Sequence, residues 1–326
     1  MVHIAISSDG NYVKQCYTLI KSACMKSSIP ICFHLISNGI DEGDLNKIEE
    51  IVRQYDGTIK VYPFDMILNR LNTDGKYNLS SYARLFLPDL LENDINKILY
   101  CDCDALFFDD PCLIYEENIE GFLCAGVLDT VDFLYKDKIS MSASDPYVNA
   151  GMVLFNLVEM RQDHTVDRFI ECIKKYNGSV PHHDQGVINS VCNGRIKVLR
   201  PNCNVLCTIF EFNVEQIQQL YHIKYYYTEE EIENAKVNPI FVHYTAAYYN
   251  RPWNKNCTHP LKQQFLDVYN TIPFNTELKN HDLKFKVKFL RFVKNHTTFG
   301  IYKSVCRCMQ FRKRMKFSVA ERINKV

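Results

Sequence analysis

Two aspartates stand one residue apart at the end of an apolar run in the middle of the chain. Residues 97–101 have the composition of a buried strand, and Asp102, Cys103 and Asp104 follow them directly. Because alternate residues of an extended chain point to the same face, the two carboxylates would project together, with Cys103 on the other side. Such a pair repels itself unless a cation lies between the oxygens, and hard oxygen ligands suit Mg²⁺ or Mn²⁺ that bridges to a phosphate. The alternative to a metal site is that one of the two aspartates starts a turn and the other is simply solvated.

Four other polar positions could join such a site, and each has a structural alternative. Arg84 could point at a diphosphate or at solvent. The Asn-Ala-Gly at residues 149–151 opens an apolar strand, which indicates either the close approach of a ligand or backbone, or a bulge. Asp184 lies near a predicted helix N-terminus and could be its cap. His243 ends an apolar run and could be a third metal ligand or a satisfied structural histidine.

The first part of the chain alternates between strand and helix patterns. Strands are predicted at residues 3–8, 31–37 and 58–64, and helices at 12–25 and 41–55. This alternation favours an α/β fold with a parallel sheet and right-handed crossovers. Ligands of such sheets bind beyond the carboxyl ends of the strands. Residues 7–11 and 102–104 both follow strands, so they are candidates for one pocket.

The rest of the chain carries five further structural predictions. An apolar strand at residues 121–128 precedes a polar stretch, 129–145, in which no buried element is predicted and which would be a lid or an acceptor-facing loop. A buried strand is predicted at 147–157 and one amphipathic helix at 161–176. A last short strand, 239–244, would place His243 at its end.

The composition describes an ordinary globular protein. At 326 residues and 47% hydrophobic content, the chain can hold one large α/β domain with a small appendage, or two modest domains. Its 14 cysteines are scattered through apolar runs, and no signal peptide or membrane-spanning stretch is recognisable. The cysteines are therefore interpreted as reduced apolar fillers in a cytoplasmic protein.

The formal net charge of zero hides an asymmetry between the two ends of the chain. Residues 278–326 hold 14 lysines and arginines but only 2 aspartates and glutamates, interleaved with aromatic residues at 284–294 and 311–317. The sequence thus predicts a domain over 1–277 and a basic, helical, amphipathic appendage over 278–326. An anionic membrane surface is the preferred partner of this appendage. The alternatives are a helix packed on the acidic body and a nucleic-acid contact, for which no fold signature is present.

Taken in order, these motifs resemble those of the family-8 retaining glycosyltransferases, and within them the bacterial lipooligosaccharide galactosyltransferase and glucosyltransferase branch. The resemblance covers roughly residues 3 to 270. It is carried by Ile4–Tyr12, Tyr82–Leu85, Leu99–Asp104, Asn149–Gly151, His183–Gly186, and His243-Tyr244 with Pro252-Trp253.

The resemblance implies a GT-A fold and a set of site residues. Asp102, Asp104 and His243 would ligate Mn²⁺ or Mg²⁺ on the diphosphate of UDP-galactose or UDP-glucose. Ser7, Asp9 and Asn11 match positions that hold uridine. The other implied donor-site residues are Tyr12, Arg84, Cys103, Asn149, Ala150, Asp184, Gln185 and Arg251. Of these, Gln185, Asp184 and Arg84 would be catalytic.

The implied activity is transfer of the hexose to a hydroxyl of a glycan acceptor, such as lipooligosaccharide, capsule or another cell-surface glycan. A lipid-linked acceptor would place the enzyme at the inner face of the membrane. Retention of configuration raises the question of a nucleophile. Because the Gln185 amide implied near the anomeric carbon is a poor nucleophile, a front-face path through an oxocarbenium-like state is the hypothesis.

The chain departs from the family pattern after His243. The family commonly has His-Tyr-x-Gly and then Lys-Pro-Trp, whereas residues 243–253 form a longer loop without the glycine and with Arg251 in place of lysine. Two other functions remain open at this stage. One is a non-catalytic module that binds UDP-sugars or membrane surfaces. The other is a haloacid-dehalogenase-type phosphatase, although its later Gly-Asp pair is missing.

Overall fold

The computed structural model describes residues 1–65, 79–246, 248–283 and 285–309. Its strands are β1 Val2–Asp9, β2 Ile31–Asn38, β3 Thr58–Pro63, β4 Lys97–Cys101, β5 Ala105–Phe107, β6 Cys124–Leu128, β7 Val148–Asn156, β8 Ile196–Val198, β9 Val205–Leu206 and β10 Phe241–His243. Its α-helices are α1 Val13–Lys26, α2 Glu42–Gln54, α3 Leu87–Leu90, α4 Cys112–Tyr115, α5 Phe133–Lys138, α6 Leu157–Gln162, α7 Thr165–Lys175, α8 His183–Val191, α9 Val214–Tyr221, α10 Glu229–Val237, α11 Lys262–Tyr269 and α12 Phe285–His296. Residues 299–309 are also helical, and the 3₁₀ helices are Gly10–Tyr12, Leu79–Phe86, Pro201–Cys203 and Cys207–Phe210.

Within the described part of the chain, seven strands form the main sheet in the order β3-β2-β1-β4-β7-β6-β8. β1 runs parallel to β2 and β4, whereas β7 runs antiparallel to both β4 and β6. The predicted mostly parallel α/β sheet is therefore confirmed. Since β1 and β4 are parallel neighbours, the residues that follow their carboxyl ends meet at the same edge of the sheet.

A second, three-stranded sheet in the order β5-β10-β9 completes that edge. β5 pairs antiparallel with β10, so that Ala105 lies opposite His243. The main-chain N–H of Tyr244 also donates to the carbonyl of Asp104 at 2.9 Å. This short pairing brings the end of β10 beside the aspartates, although about 140 residues separate them in sequence.

Apolar side chains cover both faces of the main sheet. Ile4 and Ile6 of β1 pack on one face with Leu19 of α1, while Ala5 and Tyr100 belong to the cluster on the other face. Such alternation follows from the two-residue period of a strand. The result is an α/β/α arrangement whose rigid centre holds the strand ends in place.

Two predictions for residues 129–176 are wrong. The stretch 129–145 contains α5, which begins where the Asp132 side chain accepts a hydrogen bond from the Leu134 N–H at 2.9 Å. A six-residue helix is too short to show a period, so the sequence pattern does not reveal it. The predicted helix 161–176 is divided into α6 and α7, because His164 adopts a left-handed φ of 49° between them.

The basic C-terminal region packs against the body as far as the structure describes it. Val293 and Tyr302 are buried in the core, and Lys294 forms an ion pair with Glu211. The outer face keeps Phe289 and Phe292 exposed. The second basic and aromatic segment, 311–317, lies outside the described residues, and a domain boundary at 277 stays a prediction. None of the helices found in the described ranges has the length and apolar character needed to cross a bilayer.

Candidate active site

The edge of the main sheet gathers the three predicted metal ligands. Asp102 follows β4, Asp104 precedes β5, and His243 ends β10. The Nε2 atom of His243 lies 3.0 Å from Asp104 Oδ1 and 4.0 Å from Asp102 Oδ2. All three offer one ligand atom within 4.8 Å of the others. Two carboxylates and an imidazole form a donor set that fits a divalent cation.

Asn149 fixes the orientation of His243. Its Oδ1 accepts hydrogen bonds from the Gly151 N–H at 2.9 Å and from Asn204 Nδ2 at 3.1 Å, which identifies that atom as the oxygen. The same oxygen lies 3.1 Å from His243 Nδ1, so Nδ1 carries the proton and donates it. The Nε2 lone pair then faces the carboxylates, as metal-ligating imidazoles require.

A side chain, the His243 ring, approaches residues 149–151 closely, whereas the sequence predicted the approach of a ligand or of backbone. A Cβ atom on Gly151 would overlap the Cε1 and Nδ1 atoms of His243. Glycine at this position therefore makes room for the imidazole. The register of β6 and β7 also shifts across these residues, as the bulge alternative predicts.

Arg84 is buried between carboxylates instead of pointing at solvent. Its Nη2 donates to Asp102 Oδ1 at 2.8 Å, and its Nη1 donates to the Ala150 carbonyl at 2.6 Å. Its Nε lies 3.1 Å from Asp184 Oδ2. Burial raises the pKa of the Asp184 carboxyl to about 6, although Arg84 opposes that shift. Arg84 thus places positive charge beside the predicted metal ligands.

Asp184 and Gln185 occupy the first turn of α8, where the N-cap residue is His182 rather than Asp184. The Oε1 of Gln185 accepts from the Ala150 N–H at 3.1 Å, and its Nε2 donates to Asp129 Oδ2 at 2.9 Å. Asp129 also accepts from Asn149 Nδ2 at 3.0 Å. Sequence reasoning missed Asp129, although its place directly after β6 is the same strand-end signal that marked Asp102.

Comparison with known proteins identifies the family. The sequence model of glycosyl transferase family 8 matches residues 3–257. The chain belongs to this family. The predicted resemblance is confirmed, and the phosphatase alternative loses its basis.

Relatives of this family-8 protein include General stress protein A of Bacillus subtilis, 22% identical over 85% of this chain and 96% of the relative. Lipopolysaccharide 1,3-galactosyltransferase of Salmonella typhimurium is 23% identical over 92% of this chain and 88% of the relative. Among solved structures, the galactosyltransferase LgtC in complex with donor and acceptor sugar analogs superposes with a TM-score of 0.68 at 20% identity, covering 84% of this chain and 97% of LgtC. This likeness confirms the GT-A fold.

The first loop of this family-8 chain lies at the same edge of the sheet. The Cys103 thiol donates to the Ser7 carbonyl at 3.4 Å, which joins the aspartate loop to the end of β1. Asp9 Oδ1 accepts from the N–H groups of Asn11 and Tyr12 at 2.9 and 3.1 Å, so this carboxylate holds the loop in shape. The Tyr12 side chain is exposed. The two segments that were predicted to share one pocket therefore lie next to each other.

Arg251 also reaches the metal-ligand cluster. It forms an ion pair with Asp104 Oδ2 and donates to the Tyr244 carbonyl, and its guanidinium lies 5.8 Å from the centre of the Trp253 ring. Arg251 therefore neutralises Asp104, and together with Arg84 it supplies two cations at this strand edge.

A cavity of about 360 Å³ adjoins the site of this family-8 protein. Its walls come from residues that lie near Asp129, Asp184 and His243 in sequence, from the end of α9 and from the C-terminal helices. The aromatic and hydroxyl-bearing lining residues are Thr130, Tyr135, Tyr221, Tyr248 and Tyr302. Such a lining combines apolar ring faces with hydrogen-bonding groups.

Metal binding at this site is expected to weaken as the pH falls. Burial lowers the pKa of His243, but the Asp104 and Asp102 carboxylates together raise it more, so the pKa lies above its ordinary value of 6.5. Only the neutral imidazole can ligate a cation. Affinity for Mn²⁺ should therefore be full above the raised pKa and fall about tenfold per pH unit below it. Electron paramagnetic resonance titrations between pH 8 and pH 5.5 measure this, and a flat profile would contradict the assignment of His243.

Proposed function

We propose that this family-8 protein is a metal-dependent retaining hexosyltransferase. Its donor would be UDP-galactose or UDP-glucose, and its acceptor a hydroxyl of lipooligosaccharide, capsule or another cell-surface glycan. The observation that carries the proposal is the cluster of Asp102, Asp104 and His243 with Arg84 at one strand edge. Mn²⁺, or Mg²⁺, held by the three ligands would supply positive charge for the diphosphate leaving group.

Two arginines beside the cluster would stabilise the UDP leaving group. Arg84 is fixed by Asp102 and Asp184 with its charge already in place, which favours the negative charge that develops on the departing UDP. Arg251 would exchange Asp104 for a diphosphate oxygen, to which its planar guanidinium can donate two parallel hydrogen bonds. Both arginines stabilise the same leaving group.

The Gln185 side chain is held in a fixed orientation, from which it would act on the anomeric carbon of the donor sugar. Its amide is fixed on one side by Ala150 and on the other by Asp129. Because a neutral amide is a poor nucleophile, the incoming hydroxyl would attack on the face that UDP leaves. In this path, Gln185 positions the sugar and stabilises the oxocarbenium-like state by its carbonyl dipole.

Replacing Gln185 by Ala is therefore expected to lower turnover moderately, by about 10- to 100-fold, without changing the stereochemistry. Initial rates and the anomeric configuration of the product by NMR measure this. Gln263→Ala, on the exposed face of α11, is the matched control and should be unchanged. Complete loss with a covalent sugar adduct on another side chain would contradict the front-face path.

A donor screen tests the proposed function itself. The protein is incubated with UDP-galactose, UDP-glucose or UDP-N-acetylglucosamine, with Mn²⁺ present or chelated, and released UDP is measured. Metal-dependent UDP release from a UDP-hexose supports the transferase. Binding of UDP-sugars without turnover, over a range of acceptors, would favour the non-catalytic module that the altered loop after His243 suggests.

The cavity beside Asp129 supports an acceptor longer than one sugar. Tyr221 and Tyr248 share a hydrogen bond between their hydroxyls at its wall. Tyrosine faces can stack on the apolar face of a sugar ring, while their hydroxyls bond its polar rim. The acceptor would reach Gln185 with its reactive hydroxyl and extend into this cavity.

A lipid-linked acceptor would agree with a peripheral location at the inner face of the membrane. Phe285, Phe289 and Phe292 are 84%, 44% and 60% exposed and recur on one face of α12. Exposed lysines lie on the same helix, at positions 286 and 288. Aromatic anchors among cations suit an anionic lipid surface.

Changing these three phenylalanines to Ser is expected to lower binding to anionic vesicles by about tenfold or more. Vesicle flotation with phosphatidylglycerol measures the bound fraction. The matched control is Tyr225→Ser with Val237→Ser, two residues that are just as exposed on the body. Equal binding by both variants would count against a membrane surface on α12.

A further inference from the structure

A second cluster of metal-ligating side chains lies at the opposite end of the main sheet. His3 Nδ1 is 3.0 Å from His34 Nε2, and Cys32 Sγ is 3.6 Å from the same nitrogen. These three atoms all lie within 4.8 Å of one another. His3 is six residues before the end of β1, so the cluster lies about 20 Å from the candidate active site.

The parallel register of β1 and β2 creates this cluster. His3 is the direct partner of Cys32, and His34 follows Cys32 by two residues on the same strand. All three side chains therefore project from the same face of the sheet. The ligand atoms are held by two neighbouring strands, each of which is paired on both sides within the sheet.

A chain of hydrogen bonds explains only part of this arrangement. Nδ1 of His34 lies 3.0 Å from the Tyr62 hydroxyl, which orients the ring with Nε2 toward His3 and Cys32. In a neutral imidazole, Nε2 carries either one proton or one lone pair, yet two neighbours approach it within hydrogen-bonding distance. A cation between the three atoms would use the lone pairs of both imidazoles and the thiolate at once.

The surroundings suit a cation. Burial lowers the pKa of His34 to about 4 and also lowers that of His3, so both rings are neutral at pH 7. Neutral imidazoles can bind a metal without losing a proton. His3 also lines an open cleft with five carboxylates and one lysine, namely Asp94, Glu116, Glu117, Glu120, Glu159 and Lys97. This acidic cleft would attract a cation and give it a path to the buried ligands.

We propose that His3, Cys32 and His34 form a zinc site. Two imidazole nitrogens and a thiolate are ligands that Zn²⁺ prefers in a tetrahedral arrangement. The fourth position would face the cleft and take a water molecule. Tyr62, through His34 Nδ1, would be the outer-shell partner that orients this ligand. The bound ion would tie β1 to β2 at their amino ends.

Cobalt(II) tests the site, because a thiolate ligand gives Co²⁺ a near-ultraviolet charge-transfer band that oxygen and nitrogen ligands do not. The experiment uses the full, reduced chain with Asp104→Asn to disable the active-site cluster. Cys306→Ser and Cys308→Ser remove the two cysteines that are not buried among the described residues. One Co²⁺ per chain with this band, displaced by one equivalent of Zn²⁺, is expected.

Variants of the proposed ligands test whether the Co²⁺ charge-transfer band comes from this site. Cys32→Ser should abolish the band, and His3→Ala should weaken Co²⁺ binding at least about 100-fold, while Tyr62→Phe should weaken it about tenfold. Zn²⁺ at a hundredfold excess over its Kd should also raise the Tm by about 5 °C. Absence of the band at stoichiometric Co²⁺, or its survival in Cys32→Ser, overturns the proposal. If Cys32→Ser does not fold, His3→Ala provides the test, because His3 is only half-buried and its replacement should be tolerated. Unchanged Co²⁺ affinity in His3→Ala would then overturn the proposal.

Discussion

Replacing Asp104 by Asn is expected to lower metal-dependent transfer by about a thousandfold or more. One oxygen of Asp104 lies 3.0 Å from His243 Nε2, and the other forms an ion pair with Arg251. The amide keeps the size of the carboxylate but removes its charge. It also offers an NH₂ group where a metal ligand must have a lone pair. Affinity for Mn²⁺ and kcat/KM for the UDP-sugar should fall together.

The control for this substitution is Asp109→Asn. Asp109 is exposed, five residues further along the chain, and outside the cluster. It should keep full activity and metal affinity. Circular dichroism and the Tm would show whether Asp104→Asn still folds, since the loss of charge also removes the carboxylate that pairs with Arg251. Full metal-dependent activity in Asp104→Asn would overturn the metal site.

The sequence predicted the parts of this molecule that depend on local pattern. β1, β2 and β3 and the helices between them agree with prediction to within a few residues, because apolar periodicity and turn residues are local signals. The convergence of residues 7–11 with Asp102 was also predictable. It follows from a general property of parallel sheets rather than from any particular contact.

Contacts between distant segments could not be predicted in this way. The pairing of Arg251 with Asp104 joins residues almost 150 positions apart, and it depends on how β10 meets β5. The position of Asp129 directly after a strand was visible in the sequence. Its contacts with Asn149 and Gln185 were not, because these residues come from two other elements. Likewise, the burial of Val293 could not be predicted, because it depends on the surface of the body against which α12 packs. The roles of the site residues in binding and catalysis stay predictions until variants are measured.

Gly151 is important because of a contact with a distant residue, the ring of His243. A Cβ atom at this position would overlap the His243 ring, and the backbone on both sides is fixed in β7. The ring is the part that can move, so Gly151→Ala should turn His243 away from Asn149 and the aspartates. We expect a loss of about 100-fold or more in Mn²⁺ affinity and in activity.

Gly300→Ala separates this effect from a general response to alanine. Gly300 lies in the helix over 299–309, and an added Cβ would meet only Thr298 Oγ1 at 4.0 Å. That variant should keep its activity, and its Tm should stay the same or rise slightly, since alanine favours a helix over glycine. If Gly151→Ala binds Mn²⁺ as tightly as the unchanged protein, His243 is not the third ligand. The two carboxylates would then hold the cation with water or phosphate oxygens alone.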